Sequence, residues 1–500
     1  MADAGSSTDA PIEEKLQEVF GFSGFRPHQR ELVEALLAGR DAVGVMPTGG
    51  GKSLCYQLPA VLSEGCAVVV SPLIALMKDQ VDAALANGIR AAAVHSGLPD
   101  SVRLDAARAY RDGELDLLYV APERLSMAGM LNRLTHCPRG RPAFFAIDEA
   151  HCISEWGPDF RPDYLALGQL REALPDVPIG AFTATATRKI AADIEQRLLL
   201  NEPIAIRASF DRENLFYEVR AKRDWESQLV QFIKEREGQS GIVYRTTRKS
   251  VEATARLLQA NGIDARGYHA GMEPDERSDT QEAFIRDNAA VIVATIAFGM
   301  GIDKADVRFV IHGDLPKNIE SYYQETGRAG RDGEPSHCLL LFSSGDVVKL
   351  RRLTESVADE AERERTLQLL REMERFASVP TCRRKALLAY FDESYPKDNC
   401  ESCDVCTGDF QQVEATREAQ ILLSAIARTG ERFGAVHLCD IVTGANTARI
   451  RQFSHDQVKT YGAGRNRPKT FWRSVLSGLI SNDIVQLSND QFAVPKLTKA

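Results

Sequence analysis

The sequence predicts an α/β chain: two parallel-sheet lobes, then a helical cysteine-bearing module, then a small winged-helix end. Three observations predict this. From Ile12 to about Ser343, short apolar runs alternate with amphipathic helical stretches. The runs are near-continuous rather than alternating, as in strands buried on both faces of a parallel sheet. After Ser344 the strand signal stops and charge-laced helical pattern takes over, ending in a cysteine cluster.

The 500-residue length suits about three domains of roughly 150 residues. A hydrophobic share of 44% and a charged share of 26% exclude disordered, collagenous and membrane classes. No run reaches the roughly 18 apolar residues of a membrane helix. Met1–Asp9 lacks the basic start and apolar stretch of a signal peptide, and ten cysteines are too scattered for a disulfide framework. The expectation is a soluble protein in a reducing, cytoplasmic setting (nucleoid-associated if bacterial), with no membrane partner.

Taken in order, residues 1–11 read as a frayed tail. The first lobe (12–207) carries the runs Ala67–Val70, Leu117–Val120 and Phe144–Ile147. The second (208–343) carries Gly241–Tyr244, Val291–Ala294 and Phe309–His312. The cysteine module spans 344–410 and the last domain 411–500, where Ile484–Leu487 and Phe492–Val494 flank a turn at Ser488–Gln491. The net charge of −9 argues against a polyanionic partner until the charges are located. Residues 411–500 hold 12 Lys/Arg against 7 Asp/Glu, which leaves −14 on the rest; residues 441–475 hold 7 basic and 1 acidic. The basic face is local.

Val43–Met46 followed by Pro47-Thr48-Gly49-Gly50-Gly51-Lys52-Ser53 reads as strand, glycine-rich turn and helix start. Backbone N–H groups of such a loop cradle phosphates. Lys52 would reach the outer phosphates and the Ser53 hydroxyl would ligate Mg²⁺. Phe144–Ile147 ends in Asp148-Glu149-Ala150-His151. Asp148 would hold Mg²⁺, and Glu149 would orient and deprotonate the attacking water. Upstream, Phe22, Arg26 and Gln29 can stack on and hydrogen-bond an adenine, although Phe20, Phe22 and Phe25 could equally be core. In the second lobe, Gln324-Glu325-Thr326-Gly327-Arg328-Ala329-Gly330-Arg331 places two arginines among glycines. Arg331 is the candidate to stabilise charge on the transferring phosphoryl group, with Arg328 its partner. Trp156 and Phe160, directly after the carboxylates and among polar groups, suit base stacking; packing between the lobes is the alternative.

Cys400, Cys403 and Cys406 lie at two-residue gaps, with Cys382 upstream at the start of a helix. Four thiolates suit a closed tetrahedral Zn²⁺ site. An iron–sulfur cluster is the rival, though the cysteine three residues on that would continue a ferredoxin pattern is missing. Cys55, Cys66, Cys137, Cys152, Cys338 and Cys439 read as ordinary thiols. In the last domain Arg449 and Arg451 would sit at a helix N-terminus, and Arg465, Arg467 and Lys469 on a loop with Gly462 and Gly464. Such charges give duplex DNA affinity without sequence choice. The hairpin at Ser488–Gln491 offers no aromatic at its tip for strand separation.

On these motifs the chain resembles the superfamily-2 helicases and specifically the RecQ-family DNA helicases, from about Phe20 to Leu487. The resemblance rests on Met46-Pro47-Thr48-Gly49, Asp148-Glu149-Ala150-His151, Gly180–Ala186, Gly299-Met300-Gly301-Ile302 and, above all, His151–Pro162. It implies two RecA-like parallel-sheet lobes followed by a helical zinc-binding module and a winged-helix domain. It also implies an ATP-driven motor moving 3′ to 5′ on single-stranded DNA and unwinding duplex or forked DNA in recombination and repair. Phe22, Arg26 and Gln29 match the family's adenine-reading motif; Trp156, Phe160 and Arg161 its DNA-coupling loop, which acts on Glu149 and His151; Gln324, Arg328 and Arg331 its last helicase motif. Pro158 and Asp303 stand where other members carry different polar residues. The implied ligands are ATP, Mg²⁺ and Zn²⁺, and the implied partners single-stranded and duplex DNA and a single-stranded-DNA-binding protein, with the chain monomeric. Two rival readings remain: a DNA-binding scaffold with a vestigial ATPase, and an RNA helicase.

Overall fold

The computed structural model describes residues 9–125, 128–135, 141–157, 160–287, 289–295, 304–408, 414–482, 484–488 and 494–498. Gly299–Ile302, Asp303, Pro158, Asp159, Cys137 and the turn residues 489–491 therefore lie outside the described residues. The chain forms two compact units, one of residues 1–370 with 384–403, the other of 371–383 with 404–500.

The larger unit holds two sheets. In the first, β1 (Ala42–Val45), β2 (Ala67–Val70), β3 (Ala91–Val94), β4 (Leu117–Val120), β5 (Phe145–Ile147), β6 (Ile179–Thr183) and β7 (Ile204–Arg207) run parallel in the order β3-β4-β2-β5-β6-β1-β7. Every residue of β1, β2, β4, β5 and β6 is buried, which is why these strands read as unbroken apolar runs. Phe144, Phe182, Tyr56, Tyr119 and Met77 fill one core against this sheet. In the second sheet, β8 (Leu215–Ala221), β9 (Ser240–Tyr244), β10 (Ala265–Tyr268), β11 (Val291–Ala294), β12 (Val307–His312) and β13 (Ser336–Phe342) are parallel in the order β10-β11-β9-β12-β13-β8. Phe232, Phe309, Leu339 and Leu258 form its core.

Register positions the site. Val45 pairs with Thr183 of β6, and Ile147 with Ala181 of β6 and Val70 of β2. The segments leaving β1, β2, β5 and β6 thus emerge side by side at one sheet edge, the carboxyl edge where open α/β sheets place ligands.

The smaller unit packs the helices Thr416–Arg428, Ala435–Thr443 and Lys469–Ser481 around Trp472, Leu438, Ile426 and Val485. β14 (Val485–Leu487) and β15 (Pro495–Leu497) close it as an antiparallel pair. The apolar segment expected at Phe492–Val494 is strand only from Pro495 among the described residues. Helices, then a two-stranded wing, are the winged-helix arrangement. Among the described residues no helix is long and apolar enough to cross a membrane.

Candidate functional site

The loop between β1 and the helix Leu54–Leu62 is shaped by its glycines. Gly49 and Gly51 have φ of +81° and +77°, a region that side chains other than glycine rarely adopt. A Cβ on Gly51 would also lie 2.3 Å from Gln29 Nε2, and one on Gly49 3.2 Å from Arg331 Cγ. Gln29 is buried and its amide is spent on this loop. Nε2 donates to the carbonyls of Gly50 (3.2 Å) and Gly51 (3.1 Å), while Oε1 accepts from the Arg26 N–H (2.8 Å). The Arg26 guanidinium donates to the Gly49 carbonyl. Gln29 as it stands braces the phosphate loop rather than presenting a free amide edge to a base. Phe22 is 51% exposed, whereas Phe20 and Phe25 pack against the core; of the three rings, Phe22 is left for stacking.

Lys52 Nζ donates to the Met46 carbonyl (3.3 Å). Crowding by protein lowers the Lys52 pKa, and Glu149 and then Asp148 pull it back. Asp148 is buried, and burial together with the neighbouring Glu149 raises its pKa to about 7. Glu149 sits in the left-handed region (φ +47°). Burial works against its charge, but the hydrogen bond from His151, with Lys52 and Arg328 nearby, holds it down at about 2. Two adjacent carboxylates in so dry a place call for a cation, since His151 is paired with Glu149 alone and Asp148 is left at a raised pKa. The donor set, two carboxylates and the Ser53 hydroxyl, suits the oxygen preference of Mg²⁺. Ser53 Oγ is held by Gln80 Nε2 (3.1 Å), itself held through Gln57 (2.9 Å).

The second lobe completes the cleft. The helix Ile319–Thr326 ends just before Arg328, which is buried, and Arg331, which lies against Gly49. A polar chain crosses between the lobes. Glu149 Oε2 is 3.3 Å from His151 Nδ1, which shares a 2.8 Å hydrogen bond with Thr183 Oγ1. The Thr185 N–H donates to Thr183 Oγ1 (3.2 Å), and Gln324 Nε2 donates to Thr185 Oγ1 (3.0 Å).

Sequence reasoning missed Arg212. Its guanidinium donates to the carbonyls of Thr48 (3.1 Å), Gly327 (3.4 Å), Ala329 (3.0 Å) and Gly330 (2.9 Å), tying the phosphate loop to the arginine loop. Asn214 Nδ2 adds a bond to the Gly330 carbonyl (2.8 Å). The available signal was the polar run Asp211–Asn214 between the lobes, but charge alone does not say what an arginine grips. Thr183 and Thr185 lay inside a quoted motif without being singled out.

The aromatic loop leaves the carboxylates through the 3₁₀ turn Ala150–Ile153. Trp156 is 54% exposed and Phe160 half-buried. Arg161 Nη1 donates to the Pro72 carbonyl (2.7 Å). Trp156 is not packed between lobes.

The Sγ atoms of Cys382, Cys400, Cys403 and Cys406 lie within 4.8 Å of one another. Thiolates about 2.3 Å from one tetrahedral ion sit just under 4 Å apart, so the set fits a single zinc. A cluster of several irons and sulfides needs its thiolates spread further. Arg383 secures the module with an ion pair to Asp404 (3.0 Å).

In the smaller unit, Arg449 and Arg451 lie on the short helix Ala448–Gln452, capped by Thr447, and both are exposed. Arg465 lies over the Tyr461 ring and Arg467 over Phe471, their charges in solvent. Lys469 instead pairs with the buried Asp440 carboxylate, so part of its charge is spent on the domain.

Comparison with known proteins agrees with this geometry along the whole chain. Residues 26–193 match the DEAD/DEAH box helicase family, 225–333 the helicase conserved C-terminal domain, 344–407 the RecQ zinc-binding domain and 409–500 the RQC domain. The chain is 43% identical over 477 residues to the ATP-dependent DNA helicase RecQ of Pasteurella multocida, covering 95% of this chain and 75% of that one. It is 42% identical to the protein of the same name from Haemophilus influenzae (94% and 75%). It is 39% identical to the ATP-dependent helicase SGS1 of Saccharomyces cerevisiae, of which it spans 35%. Among solved structures, the DUF1998 helicase MrfA bound to DNA shares the fold at a TM-score of 0.56 and 19% identity, over 75% of this chain and 58% of that one. The helicase Lhr of Mycobacterium smegmatis does so at 0.54 and 18%, over 100% and 61%. With its two lobes, thiolate cluster and winged-helix end in the family's order, the chain belongs to the RecQ helicase family.

Proposed function

We propose that the protein is an ATP-dependent DNA helicase that moves 3′ to 5′ on single-stranded DNA and separates duplex or forked DNA in recombination and repair. The observation that carries the reading is the cleft itself. A phosphate loop, two carboxylates and two arginines from facing lobes converge, and a hydrogen-bonded chain from Glu149 to Gln324 joins the lobes.

In this reading Thr48, Gly49, Gly50 and Gly51 wrap the phosphates, and Lys52 neutralises the outer ones. Ser53 and Asp148 hold Mg²⁺, which when bound offsets phosphate charge. Glu149, its pKa held low, accepts the proton of the attacking water, and His151 orients it. Arg331 and Arg328 stabilise charge developing on the transferring phosphoryl group. Phe22 covers the base, with Arg26 and Gln29 fixing the loop beneath it. Motion follows because the arginines and carboxylates meet only when the lobes are closed, so hydrolysis and release of phosphate loosen the cross-lobe bonds.

On the DNA side, Trp156, Phe160 and Arg161 couple a stacked base to His151 and Glu149. Zn²⁺ on Cys382, Cys400, Cys403 and Cys406 holds the module together, and Arg449, Arg451, Arg465, Arg467 and Lys469 meet duplex phosphates. The motor acts as a monomer in the cytoplasm, with single-stranded-DNA-binding protein a natural partner on the product strand. Steady-state ATP hydrolysis with and without single-stranded DNA tests the reading, beside unwinding of 3′-tailed DNA and RNA forks. DNA-stimulated hydrolysis, lost in Lys52→Ala, with unwinding of the DNA fork, is expected. A DNA-binding protein with no hydrolysis would be a scaffold, and equal use of the RNA fork would remove the DNA reading.

A further inference from the structure

Trp156 is the exposed ring of the aromatic loop, yet its face is taken. The Lys189 ammonium lies 3.0 Å from the ring centroid. Lys189 is the second residue of the helix Arg188–Arg197, whose first turn carries no acidic residue. A cation there faces the positive end of the helix dipole. Among the described residues Lys189 has no ion-pair partner, so the electron-rich face of the indole is the counter-charge it has found. The same helix grips the neighbouring residue: Arg197 Nη2 pairs with Glu155 (3.2 Å) while Asp193 orients Arg197 (2.9 Å). At the far end of the loop, Arg161 is held by the Pro72 carbonyl. The loop is thus pinned at Glu155, Trp156 and Arg161, and the Trp156 pin occupies one face of the indole.

We propose that Lys189 is a resting clamp on the aromatic loop, competing with a nucleobase of single-stranded DNA for the face of Trp156 and so setting how much DNA is needed to stimulate hydrolysis. The proposal rests on the reading of Trp156 as the DNA-coupling ring. A base stacked on the indole cannot share that face with the ammonium, and stacking is the stronger contact, so DNA displaces Lys189. The helix carrying Lys189 begins three residues after Thr185, the residue that receives Gln324 from the other lobe. Release of the clamp therefore occurs beside the cross-lobe hydrogen-bonded chain.

The test is DNA-stimulated ATPase of the full chain, titrated with a mixed-sequence single-stranded oligonucleotide, for wild type, Lys189→Ala, Lys189→Arg, Trp156→Ala and the Trp156→Ala/Lys189→Ala double variant. Removing the competitor should lower the half-saturating DNA concentration by roughly two- to five-fold, the factor an exposed ammonium–ring contact represents. Lys189→Arg, which keeps a cation over the ring, should stay near wild type. In the Trp156→Ala background, where stimulation is lost, adding Lys189→Ala should not restore it. If Trp156→Ala abolishes stimulation but Lys189→Ala leaves the half-saturating concentration unchanged or raises it, the clamp is overturned and the coupling role of Trp156 stands. If Trp156→Ala leaves stimulation intact, the coupling role itself falls, and the clamp with it.

Discussion

In the nucleotide cleft, Lys52, Asp148 and Glu149 crowd together beside the buried Arg328, and burial and mutual charge move the pKa values of the first three. In the smaller unit, Arg449, Arg451, Arg465 and Arg467 are exposed, and three of them lie over aromatic rings. The first region uses few charges, each desolvated and individually positioned; the second uses many, each dispensable. A desolvated charge acts through geometry, so moving it by an ångström matters. A solvated charge acts through number, by displacing counterions from a polyanion, so its exact place matters little.

The contrast breaks first at Arg331. Arg331→Ala should lower kcat for ATP by about 10³- to 10⁵-fold, the range for an arginine supplied across a phosphoryl-transfer site. Single-turnover hydrolysis checks this, and a loss below tenfold would put Arg331 among the solvated charges. Next comes Arg212, which touches four carbonyls of the two loops. Arg212→Ala should cost about 10- to 100-fold in kcat with less change in KM, because it leaves the phosphate grip in place but loosens the arginine loop. Arg212→Lys should recover little, since one ammonium cannot span that fork. Equal changes in kcat and KM would make Arg212 a general brace. The smallest effect belongs to the basic surface. Arg465→Ala with Arg467→Ala should weaken duplex binding several-fold and flatten the dependence of log K on log salt by about 2. A salt titration of fork binding measures the slope; an unchanged slope would show that neither arginine meets phosphate.

The two regions also differ in how readable they were. The strands around the cleft were legible because parallel-sheet burial writes an unbroken apolar run, and Ala67–Val70, Leu117–Val120 and Val291–Ala294 are strands at those bounds. Lys52, Asp148 and Glu149 were legible because each follows a strand at fixed spacing and shares a sheet edge with its partners. Arg212 was not, because what it grips are backbone carbonyls more than a hundred residues away, and carbonyls carry no sequence mark. Gln29 reads from the sequence as an adenine partner, whereas its amide is committed to the backbone of the glycine loop. Lys469 was counted with the basic face, and it is exposed there while also pairing with Asp440.

By itself the sequence determined the layered α/β plan, the glycine-rich loop, the paired carboxylates, the four-thiol set and the local basic surplus. These depend on residue type and short spacing, which the chain states directly. Only the tertiary structure decided which polar groups meet across the cleft: Glu149 to Gln324 through His151, Thr183 and Thr185, Arg212 between the two loops, and Lys189 over Trp156. Those contacts depend on how the two lobes pack and on which rotamer a long side chain adopts. Both are set by packing and desolvation at long range, where sequence spacing holds no information.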